Sequence, residues 1–274
     1  MINRSDRIKP TQPFFVLASS GFMQEVYMRQ GISHFYSFTV ENAVELVSVP
    51  DGCIDLLFEY SDHEMKAYAC GTVLACSLQH WDSGRTIFGV RFLPGNMPAG
   101  LSVVHRELIN KRLLLDDLLP NRTLIEKMAV EKDFYPRIRV FLEEYTRFEN
   151  VMEKPYGKLE LCLAVKNMIY ESNGIIRVSA LSERTGYSER YINKVFMDMM
   201  GFSPKLFCKI IQFQRAVDTL NYGKVSNMTE TAVNLGYYDQ SQFIKDFKQF
   251  AGITPKKYLK LIDERDYHGK IKNC

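Results

Sequence analysis

Residues 227–257 read NMTETAVNLGYYDQSQFIKDFKQFAGITPKK. Thr231, Ala232 and Leu235, then Phe243, Phe247 and Phe250, fall at helical spacings in two short runs. Between the runs stands Gly236-Tyr237-Tyr238-Asp239. Gly236 can take the positive φ that ends a helix without a Cβ penalty, and Asp239 can accept the unpaired N–H groups of the next one. The second run stops at Ala251-Gly252, and Thr254-Pro255 restarts the chain as a cap followed by proline in the first helical turn. The spacing predicts two helices joined by a tight turn, the second sized for a DNA major groove.

Residues 178–203, VSALSERTGYSERYINKVFMDMMGFS, repeat this grammar. Leu181, Gly186, Tyr187 and Ser188, followed by Phe196 and Gly201, parallel Val233, Gly236, Tyr237 and Asp239, followed by Phe247 and Gly252. Both copies close alike, Gly201-Phe202-Ser203-Pro204 and Gly252-Ile253-Thr254-Pro255. A repeat at this scale predicts two copies of one supersecondary unit.

On these residues, the chain from about 158 to 265 resembles the two-repeat DNA-binding domain of the AraC/XylS family of bacterial transcription regulators. The most specific stretch is GYYDQSQFIKDFKQFAGITPKKY, and the first repeat matches more loosely. The resemblance implies seven helices, with Ser203 to Tyr222 as the long helix holding two helix-turn-helix units side by side. It further implies double-stranded DNA as ligand, RNA polymerase as partner, and activation as the family's commoner behaviour. Arg190, Asn193 and Lys194 match the family's base-facing positions in the first unit, and Gln240, Ser241, Ile244 and Lys245 those in the second.

The chemistry suits those roles. Arg and Lys donate to guanine, Asn and Gln pair with adenine in bidentate fashion, and Ile244 can pack on a thymine methyl. Lys248, Lys256 and Lys257 read as phosphate contacts, and an exposed lysine also suits a merely solvated face. In the first recognition helix Tyr191, Ile192, Val195, Phe196 and Met199 are expected to face the core. There Met197 and Asp198 stand where related proteins often carry basic residues, and Glu189 adds a further acid, so the first unit is expected to contribute less affinity.

The 274 residues carry a net charge of +3, unevenly spread. Residues 1–154 hold 17 Lys and Arg against 20 Asp and Glu, a balance of −3; residues 155–274 hold 18 against 12, a balance of +6. The positive charge lies with the repeats, the direction phosphate neutralisation requires. Hydrophobic content of 46% fits two ordinary globular domains. No apolar run approaches a membrane span, and Met1 to Pro13 is too polar for a signal peptide, so a cytoplasmic location is expected.

The first half reads as strands: Phe35 to Val40, Val44 to Val49, Ile54 to Tyr60, Ala67 to Thr72 and Thr86 to Phe92, separated by turns such as Pro50-Asp51-Gly52 and Asp82-Ser83-Gly84. Helices follow near Arg122 to Val130 and at Phe134 to Asn150. VPDGCIDLLFEY and GVRFLPGNMPAG, within residues 14 to 120, resemble a sensory domain of unknown ligand often found ahead of AraC-type DNA-binding domains. The expected fold is α+β in two domains: an N-terminal β-barrel or cupin-like sensor domain with appended helices, then an all-α domain of about seven helices with two helix-turn-helix units. The expected divisions are residues 1–151 for the sensor, 152–157 for the linker, 158–265 for the DNA-binding domain and 266–274 for a tail.

Enzymatic and metal chemistry find little support. His34, His63, His80 and His105 are far apart, with no His-x-His pair, and the six cysteines form no C-x-x-C pair. No catalytic residue, metal or cofactor is assigned; reduced, mostly buried thiols are expected. A barrel mouth suits a small-molecule effector, for which Arg91 and Trp81 are the candidates, although the aromatics equally suit a filled core. A protein partner is the alternative occupant. The apolar face of Phe134–Asn150 suits either packing within the chain or a homodimer.

Overall fold

In the computed structural model, residues 10–40, 44–62, 64–149, 157–223, 225 and 227–273 are described. The linker expected at 152–157 lies outside them except for Gly157, as does His63.

Seven strands form one sheet: β1 (Phe22–Arg29), β2 (Ile32–Thr39), β4 (Ile54–Tyr60), β5 (Met65–Cys70), β7 (Thr86–Phe92), β8 (Arg112–Leu114) and β9 (Ile271–Asn273). The order is β8-β5-β4-β7-β2-β1-β9, and the remaining pair, β3 (Val44–Ser48) and β6 (Ser77–Trp81), makes a separate ribbon. Every pairing is antiparallel except β1 with β9, which brings the end of the chain back to its first strand.

The central strands β2, β4 and β7 are covered on both faces, which is why they read as apolar runs without alternation. One face presents Tyr36, Phe38, Leu57 and Ile87; the other presents Phe35, Leu56, Phe58, Phe88 and Val90. Gly89 sits in mid-strand because a Cβ there would fall about 2.1 Å from the Tyr36 ring opposite. The second face is closed by α3 (Thr123–Val130) and α4 (Phe134–Glu149), whose Phe134, Ile138, Phe141 and Tyr145 enter this core. The apolar face of α4 is thus spent inside the chain.

The first face is closed by the short helix α1 (Pro13–Ala18) and by the C-terminal half. Phe14 and Phe15 of α1 share one apolar cluster with strand residues and with Phe213, Phe247 and Tyr258. Helix α2 (His105–Leu108) sits near the other end of the sheet. The C-terminal half comprises α5 (Lys158–Glu171), α6 (Val178–Thr185), α7 (Glu189–Met200), α8 (Pro204–Tyr222), α9 (Met228–Asn234), α10 (Gln240–Ala251) and α11 (Pro255–Glu264). A further turn, α12 (Tyr267–Lys270), leads into β9.

The architecture is therefore a β-rich half followed by a helical half. The sheet differs from a closed barrel in keeping two edges, β8 and β9, among the described residues. The expected tail is part of this sheet. β1, β6 and β8 go beyond the expected strands: β1 is half-polar along its length, and β6 alternates an exposed Leu78 with a buried Trp81.

Candidate nucleic-acid interface

Helices α6–α7 and α9–α10 are the two helix-turn-helix units. Each recognition helix is fixed at its start by a side chain: Ser188 Oγ accepts from the Tyr191 N–H at 3.3 Å, and Asp239 Oδ1 from the Gln242 N–H at 2.7 Å. Counted from the cap, the copies coincide. Ser188 to Phe196 and Asp239 to Phe247 are both eight residues, and Ser188 to Gly201 and Asp239 to Gly252 both thirteen. The turn before the cap is one residue longer in the second unit, where Gly236 adopts φ +84°.

Helix α8 joins the units by giving its two ends to two cores. Phe207, Ile210 and Ile211 pack with Ile192, Val195 and Phe196 of α7. Phe213, Ala216 and Val217 pack with Phe243, Phe247 and Phe250 of α10. The Phe213 and Phe247 rings lie 5.3 Å apart, and the Tyr258 hydroxyl donates to Asn221 Oδ1 at 2.7 Å, binding α11 to α8. Asp246, 8% exposed, pairs with Lys209 of α8 at 3.2 Å, so the acid of the second recognition helix is turned inward and matched.

The base-facing candidates lie on the opposite side. Arg190, Lys194, Ser241, Lys245 and Lys248 are exposed; Asn193, Gln240 and Ile244 are half-buried. Two of them are engaged locally: Asn193 Nδ2 donates to the Glu189 carbonyl at 2.9 Å, and Gln240 Oε1 accepts from the Thr229 hydroxyl at 2.7 Å. Lys256 and Lys257 are exposed at the start of α11.

Tyr191 departs from the expected core position. It is 39% exposed and stacks on Tyr187 at 5.3 Å, placing two aromatics on the outer surface of the first unit. Position explains this: Tyr191 precedes Lys194 by three residues, hence shares its side of the helix. Met197 is 45% exposed, and Asp198 pairs with Lys158 at 3.7 Å. Tyr238, 90% exposed in the second turn, is a further surface aromatic absent from the sequence-derived set.

The β-rich half grips the recognition helices at their far ends. Gly201, at the end of α7, has no Cβ where Arg106 and Ile109 approach. The Cys76 N–H donates to the Gln249 carbonyl at 3.4 Å, Lys166 Nζ to the Pro94 carbonyl at 3.1 Å, and Gln214 Nε2 to the Pro50 carbonyl at 2.8 Å. The first turns of α7 and α10 stay open.

Arg91 and Trp81, the effector candidates, are both buried. Trp81 packs against Phe15 and Phe38. Arg91 donates through Nε to Asp55 Oδ1 at 2.9 Å and its Nη1 lies 3.3 Å from Asp51 Oδ2, so its charge is matched twice. Burial alone would lower the Arg91 pKa, but Asp55 and Asp51 hold it well above its ordinary value. Burial raises the Asp51 carboxyl, with Arg91 opposing. The five described cysteines are free thiols, and burial pushes Cys70 up to about 12 and Cys162 and Cys208 up to about 11, which keeps these three protonated near neutrality. Among the described residues no cluster of His, Cys, Asp and Glu is arranged to hold a metal, and no helix is long and apolar enough to cross a membrane.

Comparison with known proteins adds independent findings. Residues 181–261 match the family described as "Helix-turn-helix domain", and residues 27–113 match a domain family of unknown function. The Msm operon regulatory protein of Streptococcus mutans is 23% identical over 141 residues, 51% of this chain and 50% of that protein. An uncharacterized HTH-type transcriptional regulator of Staphylococcus aureus is 30% identical over 83 residues, 30% of this chain and 11% of that protein. The chain thus spans half or less of the length of these curated relatives. Among solved structures, ToxT from Vibrio cholerae aligns over 85% of this chain and 98% of its own, with a TM-score of 0.45 and 10% identity. With its capped and repeated units, its open recognition helices and the match over residues 181–261, the C-terminal half of the chain is an AraC-type helix-turn-helix DNA-binding domain of transcription regulators.

Proposed function

We propose that the protein is a sequence-specific transcription regulator that inserts α7 and α10 into two adjacent major-groove segments of double-stranded DNA. The observation that carries this reading is the pair of recognition helices. Each is capped, each is held from behind by α8, and each shows polar and cationic side chains outward on its first turns. Arg190, Asn193 and Lys194, with Gln240, Ser241, Ile244 and Lys245, read base edges, and Lys248 holds phosphate. For Asn193 and Gln240, base reading requires exchanging the local hydrogen bonds to Glu189 and Thr229.

The sites act in the cytoplasm under control of the β-rich half, which takes an effector or a protein partner. Activation through RNA polymerase is the direction the family resemblance supports. The division at 152–157 is supported by the change from a strand-rich half before it to a half that is helical apart from β9 after it. The buried apolar face of α4 leaves its outer face, with Arg139 and Glu143, for a homodimer.

Recovery of genomic DNA fragments by the purified protein at a stated salt concentration tests the reading. The expected motif has two half-elements separated by about one helical turn, roughly 10 base pairs. A motif with one element only, unaffected by substitutions in α7, would overturn tandem reading.

A further inference from the structure

The β-rich half contains a second basic feature, far from the recognition helices in sequence. An open groove of about 520 Å³ runs between the β1–β2–β7 part of the sheet and the start of α4. Met23 and Phe134 supply apolar wall; Lys132, Arg137 and Lys272 supply positive charge. Asp133 is the single acid in its lining among the described residues.

Arg137 is the unusual member. It is 5% exposed, its guanidinium carbon lies 3.6 Å from the centre of the Tyr60 ring, and its Nε donates to the Glu131 carbonyl at 3.0 Å. Among the described residues no carboxylate lies within ion-pair distance of it. The other deeply buried arginine, Arg91, has two. Arg112, less buried, bonds to Glu59. A buried cation without a counterion is costly, and a guanidinium presents a planar fork that matches two oxygens of one ligand. Burial lowers its pKa, with Tyr60, Asp133 and Glu131 opposing only in part.

We propose that this groove binds a small organic anion, a carboxylate or phosphate monoester with an apolar body, whose acid group pairs with Arg137 and whose body lies against Met23 and Phe134. The volume falls within the range of small-molecule sites, and the mixture of apolar wall and a few convergent polar groups is their usual composition. Lys132 and Lys272 stand on the rim and attract the anion rather than fix it. The inference rests on the reading of the β-rich half as a control domain, and it supplies that domain with a site and a ligand class.

Calorimetric titration of the full chain with benzoate and, separately, with inorganic phosphate tests the proposal, with benzyl alcohol as the neutral control. One anion is expected to saturate one site per chain, and benzyl alcohol to give no saturable heat. Benzoate alone would name an aromatic carboxylate, phosphate alone a phosphate monoester. Arg137→Met keeps an apolar stem over Tyr60 and should weaken binding by about tenfold to a hundredfold. Should that variant fail to fold, the double variant K132A/K272A carries the test, with an expected loss of about threefold to tenfold. Absence of binding by both anions at about 10 mM, wild-type affinity in the variant tested, or equal binding of benzyl alcohol overturns the proposal. DNA-fragment recovery on the same preparation separates the two readings. Selective recovery without anion binding removes the groove and keeps the regulator; anion binding without selective recovery does the reverse.

Discussion

In the first unit the exposed face of α7 carries Glu189, Arg190, Lys194 and Asp198, charges that cancel, together with Met197 and the Tyr187–Tyr191 stack. In the second, α10 carries Gln240, Ser241, Lys245 and Lys248 outward, while its acid, Asp246, is buried against Lys209. The frames are alike to the residue from cap to closing glycine, and the surfaces are not. A repeated scaffold can therefore hold its packing rules fixed while its outward chemistry diverges. On the proposed reading, the divergence would give the second unit the larger share of phosphate-driven affinity and set the first unit's readers, Arg190, Asn193 and Lys194, among apolar and aromatic surface.

The largest test removes each unit's anchor. Phe247→Ala and Phe196→Ala should each cost about 3 to 5 kcal/mol of stability in denaturant titrations, because both rings are fully buried. Specific DNA binding should vanish with the first and only weaken with the second. Equal loss of DNA affinity would break the asymmetry.

A smaller effect is expected at the surface. Lys245→Ala should cost about 1 to 3 kcal/mol of specific binding and relax selectivity at one base pair, with Lys194→Ala costing less. Affinities measured across operator variants check this, and the reverse ranking would place the main reader in the first unit.

Acid should act where α2 of the β-rich half meets the first unit. His105 lies in α2, which packs on α7, and its buried Nε2 has no hydrogen-bond partner. Burial, with a smaller push from Lys166, lowers its pKa to about 4 from an ordinary 6.5. The folded chain holds this ring neutral while the unfolded chain protonates it. Stability from this group is therefore present above pH 6.5 and falls as pH drops toward 4, by up to about 1.4 kcal/mol per unit. Denaturation midpoints across that window should fall for the wild type and flatten for His105→Gln.

The smallest change sharpens the comparison by reversing it. Asp198→Lys in the first unit should steepen the salt dependence of DNA binding by about one unit of logarithmic slope, measured by titration at several salt concentrations. An unchanged slope would mean that this end of α7 stays off the phosphates.

Much of this was legible from residue order. Ser188, Asp239 and Thr254 are caps because short polar side chains before an apolar run have that use, and all three accept the expected N–H groups. Strands β4 and β7 begin and end where their apolar runs do. What escaped is long-range. β9 has no pattern of its own and exists through pairing with β1, and α1 is too short for periodicity and buries every residue from Pro13 to Leu17. Arg91 stands on a strand between apolar neighbours, and only the fold brings Asp51 and Asp55 to it. Apolar bulk alone puts Tyr191 inward, whereas its place beside Lys194 turns it out.

The parallel pairing of β9 with β1 means that, besides the side-chain and backbone contacts between them, the two halves share one sheet, whose first strand and last strand lie side by side. The helical half is in this sense a long excursion of the chain between two strands of one sheet, leaving the β-rich half after α4 and returning to it at Ile271.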